Sequence, residues 1–197
     1  MEGYFFLVSS WIVIILIFFF LDGRISPVFA VHLLVSIILS QYFIPIGLQQ
    51  LNATIIYIAV VACFYMGQMR LKNTMQVLLL SFVLALCQSG YYLFHMLEPM
   101  WFMWLPSWMD NILLVYLTIM LTRAMEQRII SLIMGMVISD LFLFFSHVRS
   151  GLYYNLYSLD WLDETAICCI LLLGWKVLEM TSKYFYEQTK HLHKKEV

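Results

Sequence analysis

The chain has 197 residues, of which 63% are hydrophobic and 12% are charged, and its net charge is -1. An average soluble domain carries about 25% charged residues, so this composition excludes a water-soluble fold. The near-neutral balance also argues against nucleic acid as a partner. We therefore expect an all-α fold, a polytopic transmembrane helical bundle.

Apolar runs of about 17 to 25 residues predict helices that cross a hydrocarbon core about 30 Å thick. Seven such runs follow one another, at about 4–21, 27–43, 50–69, 73–95, 107–122, 129–146 and 161–181. The first run lacks the basic start and the cleavage site of a signal peptide, so we expect it to remain as a span. Residues 1–182 are thus predicted to form one bundle, and 183–197 a basic cytoplasmic tail.

Charged residues near the ends of two of the seven runs shorten their apolar stretches. In the fifth, Ser107 and Asp110 have the spacing of a capping box, which would explain a carboxylate at a helix start. In the seventh, Asp163 and Glu164 shorten the apolar stretch, and Lys176 is expected to extend its ammonium group to the inner membrane surface. These two runs nevertheless complete a layout of seven spans.

The basic residues predict the orientation of the bundle. With the N-terminus outside, nine of them fall on the cytoplasmic side: Arg24, Arg70, Lys72, Arg123, Arg128, Lys183, Lys190, Lys194 and Lys195. The outer loops then carry only Arg149, and cytoplasmic loops of membrane proteins are enriched in lysine and arginine. An odd number of spans, seven, is favoured because six would place some of these residues outside.

Small residues recur every four positions in three of the predicted spans. Such rows let helix backbones approach closely, which drives helix association in lipid. The rows are Ala59, Cys63 and Gly67; Ser81, Ala85 and Ser89; and Ser131, Gly135 and Ser139. They predict helix contacts within a compact bundle, or between two copies in a homodimer.

Polar side chains at membrane depth mark the region where a functional site is expected, because burying a charge in lipid is costly. They converge on the outer half of the bundle: Asp140, His147, Gln88, Tyr92, His95, Asp110 and Asn111. Asp140 and His147 are seven residues apart and share a helix face. These residues predict either a polar cavity that binds a small solute or relays a proton, or a set of hydrogen bonds between helices.

A metal site made of His95, His147, Asp110 and Asp140 is chemically conceivable, but no pair of ligands has a diagnostic short spacing. The four cysteines show no metal-binding spacing either and are interpreted as packing residues. We expect no cofactor and no bound metal. Motifs of metalloproteases, serine hydrolases and phosphate-binding loops are absent from the sequence.

Two further features of the sequence are a histidine in the second run and the basic tail. His32 lies in the second run and is interpreted as a hydrogen-bonding group between helices. In the tail, basic residues alternate with aromatic ones, which suits the anionic cytoplasmic leaflet. The lysines expected to contact lipid are Lys183, Lys190, Lys194 and Lys195.

The opening Met1-Glu2-Gly3-Tyr4-Phe5-Phe6-Leu7, the layout of seven runs and the short basic tail resemble the small membrane proteins of the YphA type of spore-forming bacilli. This resemblance implies a bacterial cytoplasmic membrane and no particular chemistry. In size the chain is also similar to the substrate-binding membrane subunits of energy-coupling-factor vitamin transporters. Those have six helices and an alanine-spaced first helix, whereas the segment Trp11 to Phe20 contains no alanine.

Three hypotheses for function follow. The first is a noncatalytic membrane protein that acts as a partner or regulator in the cell envelope through helix and lipid contacts. The second is a small-solute-binding protein or transport subunit that uses the outer polar cavity. The third is an intramembrane enzyme, for which the sequence identifies no catalytic residue.

Overall fold

The computed structural model describes residues 3–20, 26–46, 49–98, 100, 108–149 and 159–193. Within these ranges it contains seven α-helices and one two-stranded antiparallel hairpin. In chain order they are α1 (Tyr4–Phe20), α2 (Ser26–Leu39), β1 (Phe43–Ile46), β2 (Gln49–Asn52), α3 (Ala53–Gly67), α4 (Leu71–Leu97), α5 (Met109–Leu121), α6 (Met125–Arg149) and α7 (Leu159–His193). The prediction of an all-α membrane bundle is confirmed.

The helices differ in how much of a bilayer they can cross. In the described part of the chain, three are long and apolar enough to span it, over Leu71–Leu97, Met125–His147 and Leu159–Tyr186. The other four are apolar but shorter, from 17 residues in α1 to 13 in α5. At about 1.5 Å per residue, these four cover about 20 to 26 Å of a core about 30 Å thick.

The hairpin between α2 and α3 was not expected from the sequence. The second span was predicted to run to 43, but the helix ends at Leu39 and the chain pairs Phe43 with Asn52 and Pro45 with Gln50. Proline disfavours the helical conformation of the residue before it, so Pro45 keeps Ile44 extended. The chain therefore reverses through a hairpin before α3 begins at Ala53.

Asn52 connects the end of α2 to the start of α3. Its side-chain oxygen accepts a hydrogen bond of 2.9 Å from the backbone N–H of Thr54, which caps α3. Its amide nitrogen donates to the carbonyl of Ser40 at 3.0 Å. Because Asn52 is completely buried, both bonds are shielded from solvent, and they hold the two helices in an antiparallel pair.

The closest helix contact joins α4 and α6. A Cβ atom added to Gly135 would lie 2.8 Å from the Cβ of Leu84 and 3.2 Å from the carbonyl oxygen of Ser81, so only glycine allows this approach. Ser81 and Ala85 are fully buried. The structure thus brings the predicted small-residue rows of these two helices together. Around this contact α6 also packs against α3, α5 and α7, which makes it the central helix.

The small-residue row predicted on the third span requires a correction. Cys63 is exposed, and no atom lies within 4 Å of a Cβ added to Gly67. Ala59 is half-buried, whereas Ala62 is 5% exposed and forms the inward face of α3. Ala59 therefore packs against the core, while Cys63 and Gly67 make no close helix contact in the described part of this chain.

Hydrogen bonds between helices show how the ends of the bundle are arranged. The carboxylate of Asp163 in α7 accepts from the backbone N–H groups of Gly3 at 2.9 Å and Phe6 at 2.7 Å, so it caps the N-terminus of α1. Cys168 in α7 donates to the side-chain oxygen of Asn111 near the start of α5. The starts of α1, α5 and α7 therefore lie at one end of the bundle.

The ends of α4 and α6 lie side by side, since the rings of Tyr92 and His147 are 6.0 Å apart. They lie at the same end as the start of α5, because His95 of α4 interacts electrostatically with Asp110. We call this end, which carries Asp110, Asp160, Asp163 and Glu164, the acidic end. The opposite end carries Arg70, Lys72, Arg123, Arg128 and Lys183 and is called the basic end.

Candidate functional site

Electrostatic interactions link carboxylates of three helices at the acidic end. Glu164 of α7 interacts electrostatically with Asp110 of α5 and Asp140 of α6, and also with its neighbours Asp160 and Asp163. Asp140 is 6% exposed, whereas Asp110 and Glu164 are half-buried. We call Asp110, Asp140 and Glu164 the carboxylate cluster.

Sequence reasoning had found two members of the carboxylate cluster and missed the third. Asp110 and Asp140 were both predicted to face the polar cavity, whereas Glu164 had been interpreted only as a residue that shortens the seventh span. Asp160, Asp163 and Glu164 are spaced i, i+3 and i+4, which places them on one face of a helix. That spacing was the signal that could have predicted an acidic helix face.

The start of α5 holds Asp110 differently from the predicted capping box. The helix begins at Met109, and its N-cap residue, Trp108, makes no side-chain cap hydrogen bond. Asp110 instead accepts a hydrogen bond of 2.8 Å from the backbone N–H of Asn111. Ser107, the other half of the predicted box, lies outside the described residues. This arrangement keeps the Asp110 carboxylate beside the first turn of α5.

Helix α4 contributes a histidine and a tyrosine to the surroundings of the carboxylate cluster. His95 and Tyr91 both interact electrostatically with Asp110. His95 is exposed, so its ring lies at the rim of the bundle, while Asp110 is half-buried. His95 and Asp110, which the sequence predicted to belong to one cavity, are therefore neighbours in the structure.

His147 and Tyr92 form a second pair next to the carboxylate cluster. His147 is 5% exposed, and its Nδ1 lies 2.8 Å from the carbonyl oxygen of Leu143. A carbonyl only accepts, so Nδ1 carries the proton and donates it. The ring of Tyr92 meets the imidazole edge to face at 6.0 Å. His147 therefore uses one ring nitrogen in a hydrogen bond within its own helix, and its ring packs against an aromatic ring of α4.

The side chain of Asn111 forms a hydrogen bond between two helices. Its side-chain oxygen accepts a hydrogen bond of 3.3 Å from the thiol of Cys168, and Asn111 is 3% exposed. Cys168 is itself fully buried between α5 and α7. The amide was predicted to line the cavity, but the structure uses its oxygen to join two helices.

Two buried polar groups of α4 and α6 have no hydrogen-bond partner among the described residues. They are the amide oxygen Oε1 of Gln88 and the hydroxyl of Ser139, which is 1% exposed. Ser139 follows Gly135 by one helical turn, and Gln88 follows Leu84 by one turn, so both lie on the faces where α6 and α4 meet. Burying such a group without a partner costs about 1 to 3 kcal/mol, so evolution rarely keeps one without a role.

The positions of these side chains can be compared with those that a metal ion requires. Among the residues that the structure describes, no group of three or more histidine, cysteine or acidic side chains is positioned to hold a metal ion. Metal coordination requires ligand atoms within about 2.0 to 2.6 Å of one centre. The structure therefore gives no geometric support to the metal set weighed from the sequence, His95, His147, Asp110 and Asp140.

The basic end contains a buried ion pair that the sequence did not predict. Arg128 is 4% exposed and donates from Nη1 to Oε1 of Glu179 at 2.9 Å. Its Nε donates to the carbonyl of Thr122 at 2.7 Å, and Nη2 to that of Ile119 at 3.5 Å. The guanidinium thereby binds the free carbonyl groups at the C-terminal end of α5.

This ion pair corrects the place that the sequence suggested for Arg128. It was counted as a residue of a cytoplasmic loop before a span at 129–146, but α6 begins at Met125 and includes it. Glu179 also accepts from the indole nitrogen of Trp175 at 2.8 Å, and Lys176 lies 3.8 Å from its other oxygen. Lys176 is therefore directed to Glu179 as well as toward the basic end. Arg128 and Glu179 are 51 residues apart, so no local spacing could reveal the pair.

Two other predicted groups have defined positions. His32 shares a hydrogen bond of 2.6 Å with the hydroxyl of Tyr57, which confirms it as a bonding group between α2 and α3. Lys183 is exposed on α7, which continues through the predicted tail to His193 without a break. The side chain of Lys190 and all of Lys194 and Lys195 lie outside the described residues. The first part of the predicted tail, up to His193, is thus helical and continuous with α7.

The fold and the charges at its two ends define a class, the integral membrane proteins built as multi-pass helical bundles. Residues 2–197 match the model of one family in this class, described as "YphA-like integral membrane protein". The chain belongs to that family, as its resemblance to YphA-type proteins predicted. It is similar to "Uncharacterized protein YphA" of Bacillus subtilis (strain 168), with 26% identity over 195 residues that cover 98% of this chain and 97% of the relative. No solved structure matches the chain.

Proposed function

We propose that this protein is a noncatalytic, multi-pass protein of the bacterial cytoplasmic membrane that binds a small polar solute at the acidic end of its bundle. The observation that carries the proposal is the carboxylate cluster, in which Glu164 interacts electrostatically with Asp110 and Asp140, together with the buried hydroxyl of Ser139, which has no hydrogen-bond partner among the described residues. A site of this kind corresponds to the small-solute-binding protein or transport subunit among the hypotheses drawn from the sequence.

The orientation proposed for the molecule has seven spans, an outer acidic end and a cytoplasmic basic end. Its support is the separation of charges, because Arg70, Lys72, Arg123 and Lys183 all lie at the end opposite to the carboxylate cluster. The similarity to a Bacillus subtilis protein supports a bacterial cytoplasmic membrane. In this orientation a solute reaches the carboxylate cluster from outside the cell.

Two other carboxylates of the molecule have a clear structural role and differ in this from the carboxylate cluster. The carboxylate of Asp163 is satisfied by two backbone N–H groups at the start of α1, and that of Glu179 by Arg128 and Trp175. These two carboxylates are explained by stability alone. The carboxylate cluster instead places like charges near one another where they are partly shielded from water, which raises the cost of ionising all of them. Such an arrangement is typical of functional sites in membrane proteins.

The proposal is tested with the full chain, purified and placed in lipid nanodiscs, by measuring its thermal unfolding midpoint against a panel of amino acids, amines, carboxylic acids, sugars and nucleosides. A ligand that binds only the folded state raises this midpoint. We expect at least one class of solute to do so, and Asp140→Asn and Gln88→Ala to abolish the rise. The matched control is Glu126→Gln, which changes an exposed carboxylate at the other end of α6.

Two results would contradict the proposal. The first is a panel in which no solute raises the midpoint of the unaltered protein. The second is a rise that persists undiminished in both Asp140→Asn and Gln88→Ala, since the solute would then bind elsewhere. Size-exclusion chromatography of each variant shows whether it is folded before the comparison is made.

A second candidate function is that of a partner or regulator in the cell envelope acting through helix and lipid contacts. Two observations favour it: the outward face of α3, with Cys63 exposed and Gly67 open, and the exposed Lys183, Tyr184 and Phe185 on α7. A homodimer through α3 would place two Cys63 thiols near each other. Oxidative cross-linking in native membranes should then give a dimer that Cys63→Ser removes, and monomers in both cases would exclude this interface.

A further inference from the structure

We infer that the lipid-facing surfaces of α3 and α5 select lipids with short acyl chains and hold the bilayer thin around this protein. The partner is a lipid surface, and the property that selects it is the length of these two helices. α3 has 15 residues and α5 has 13, which corresponds to about 22 Å and about 20 Å. A hydrocarbon core about 30 Å thick exceeds these lengths by about 8 to 10 Å.

Both short helices are capped at each end, so neither continues beyond these lengths. α3 begins after Asn52, whose side chain caps it, and its C-cap residue is Gln68. α5 begins after Trp108, and its C-cap residue, Thr122, has an extended backbone. The missing length therefore cannot come from further helical turns.

Hydrogen bonds to neighbouring helices fix the positions of these ends. At the end of α3, the hydroxyl of Thr74 in α4 donates to the carbonyl of Met66 at 3.2 Å. At the end of α5, Nε of Arg128 in α6 donates to the carbonyl of Thr122 at 2.7 Å. The start of each helix is held through a buried asparagine side chain, as described above. The two helices therefore cannot slide toward a membrane surface, and the bilayer has to adjust to them.

Each short helix presents an apolar stripe on its outward face. The members of the two stripes are between 42% and 67% exposed: Ile56, Val60 and Phe64 on α3, and Ile112, Tyr116 and Met120 on α5. Their spacing of four residues places the members of each stripe on one face of the helix. Exposed polar residues end the stripes, since Gln68 follows Phe64 by one turn and Arg123 follows α5. The apolar surface offered to lipid is thus no longer than the helices themselves.

Tyr116 is an independent indication of a thin hydrocarbon core. It lies at the middle of α5 and is 58% exposed. Tyrosine is enriched where membrane and water meet, because its ring is apolar and its hydroxyl is polar. The middle of a core about 30 Å thick is about 15 Å from either surface, whereas Tyr116 is only about 9 Å from Thr122 along the helix. In a core as thin as α5 is long, the hydroxyl comes close to the headgroups.

Long side chains compensate for the short helices at one end only. At the basic end, Arg70 and Arg123 are exposed, and an arginine can lay its stem along apolar surface while its guanidinium reaches the headgroups. At the acidic end, the helices begin with Asn52 and Asp110, whose side chains are short. Asn52 is also completely buried. The remaining shortfall is therefore met by thinning of the bilayer.

The test reconstitutes the full chain in nanodiscs of phosphatidylcholines whose monounsaturated chains increase in length: dimyristoleoyl, dipalmitoleoyl, dioleoyl and dierucoyl. We expect the thermal unfolding midpoint to be highest in the shortest lipid and to fall by about 2 to 8 °C toward the longest. Gln68→Leu extends the stripe of α3 by one turn, about 6 Å, and should reduce this fall. The matched control is Gln76→Leu, which changes an exposed glutamine on α4. Because α4 has 27 residues and already exceeds the core, this control should leave the fall unchanged.

Three results would overturn the inference. A midpoint that stays constant or rises with chain length would mean that the short helices do not set the thickness of the surrounding bilayer. A fall in Gln68→Leu equal to that of the unaltered chain would place its cause outside α3. Dimers in the long-chain discs, detected by light scattering and accompanied by a constant midpoint, would mean that a second copy covers the stripes instead of lipid. None of these results concerns the solute proposed for the acidic end.

Discussion

The contact between α4 and α6 can be tested by adding one methyl group. In Gly135→Ala the new Cβ would lie 2.8 Å from the Cβ of Leu84 and 3.2 Å from the backbone oxygen of Ser81. Neither atom is the end of a flexible side chain, so the two helices must move apart. Overpacking of this kind costs about 1 to 3 kcal/mol.

The helix propensity of alanine works in the opposite direction, and a matched control removes its effect. Replacing glycine by alanine inside a helix gains up to about 1 kcal/mol. Gly90→Ala makes the same change within α4, at a site where no atom lies within 4 Å of the added Cβ. The difference between the two variants therefore isolates the packing term. We expect Gly135→Ala to be less stable than Gly90→Ala by about 1 to 3 kcal/mol.

The assay is thermal unfolding of each variant in the same nanodiscs, followed by fluorescence of the native tryptophans. For a chain of this length, 1 kcal/mol corresponds to about 2 to 4 °C, so the midpoints should differ by about 2 to 12 °C, with Gly135→Ala lower. Gly174→Ala in α7, also in open space, should behave like Gly90→Ala. If Gly135→Ala unfolds at or above the midpoint of Gly90→Ala, the close approach of α4 and α6 at this residue is refuted.

Three further predictions concern charges and orientation. Arg128→Leu leaves the partly buried Glu179 without its main partner and two backbone carbonyls without a donor, so it should lose about 1 to 3 kcal/mol of stability. Arg123→Leu, which changes an exposed residue, should stay within about 0.5 kcal/mol, and equal midpoints would contradict the ion pair. Asp163→Ala removes the cap of α1 and should cost about 0.5 to 2 kcal/mol in the same unfolding assay, while Asp160→Ala, at an exposed position, should cost less. A cysteine placed at residue 197 should react with a membrane-impermeant maleimide only after the cells are opened, and labelling of intact cells would reverse the proposed orientation.

The membrane class, the number of apolar helices and the uneven distribution of charge could all be read from the sequence. Each depends on properties that act locally. An apolar run must form its backbone hydrogen bonds within itself when it lies in lipid, so run length and composition predict helices directly. The same local rule predicted that Asp140 would lie in a helix interior and that Gly135 would lie on a face suited to close packing. It did not predict the hairpin at Phe43–Asn52. Two short paired strands and a longer helix differ little in free energy for such a segment, so local rules do not decide between them.

Tertiary structure decided which faces of the helices meet. Periodicity sets the angles between side chains of one helix, but the rotation of that helix against its neighbours comes from packing between distant segments. For this reason Glu164 interacts electrostatically with Asp110 and Asp140, Arg128 pairs with Glu179, and Asp163 caps a helix that begins about 160 residues earlier. For the same reason Cys63 and Gly67 turned outward, although the spacing of their row equals that of the rows that pack.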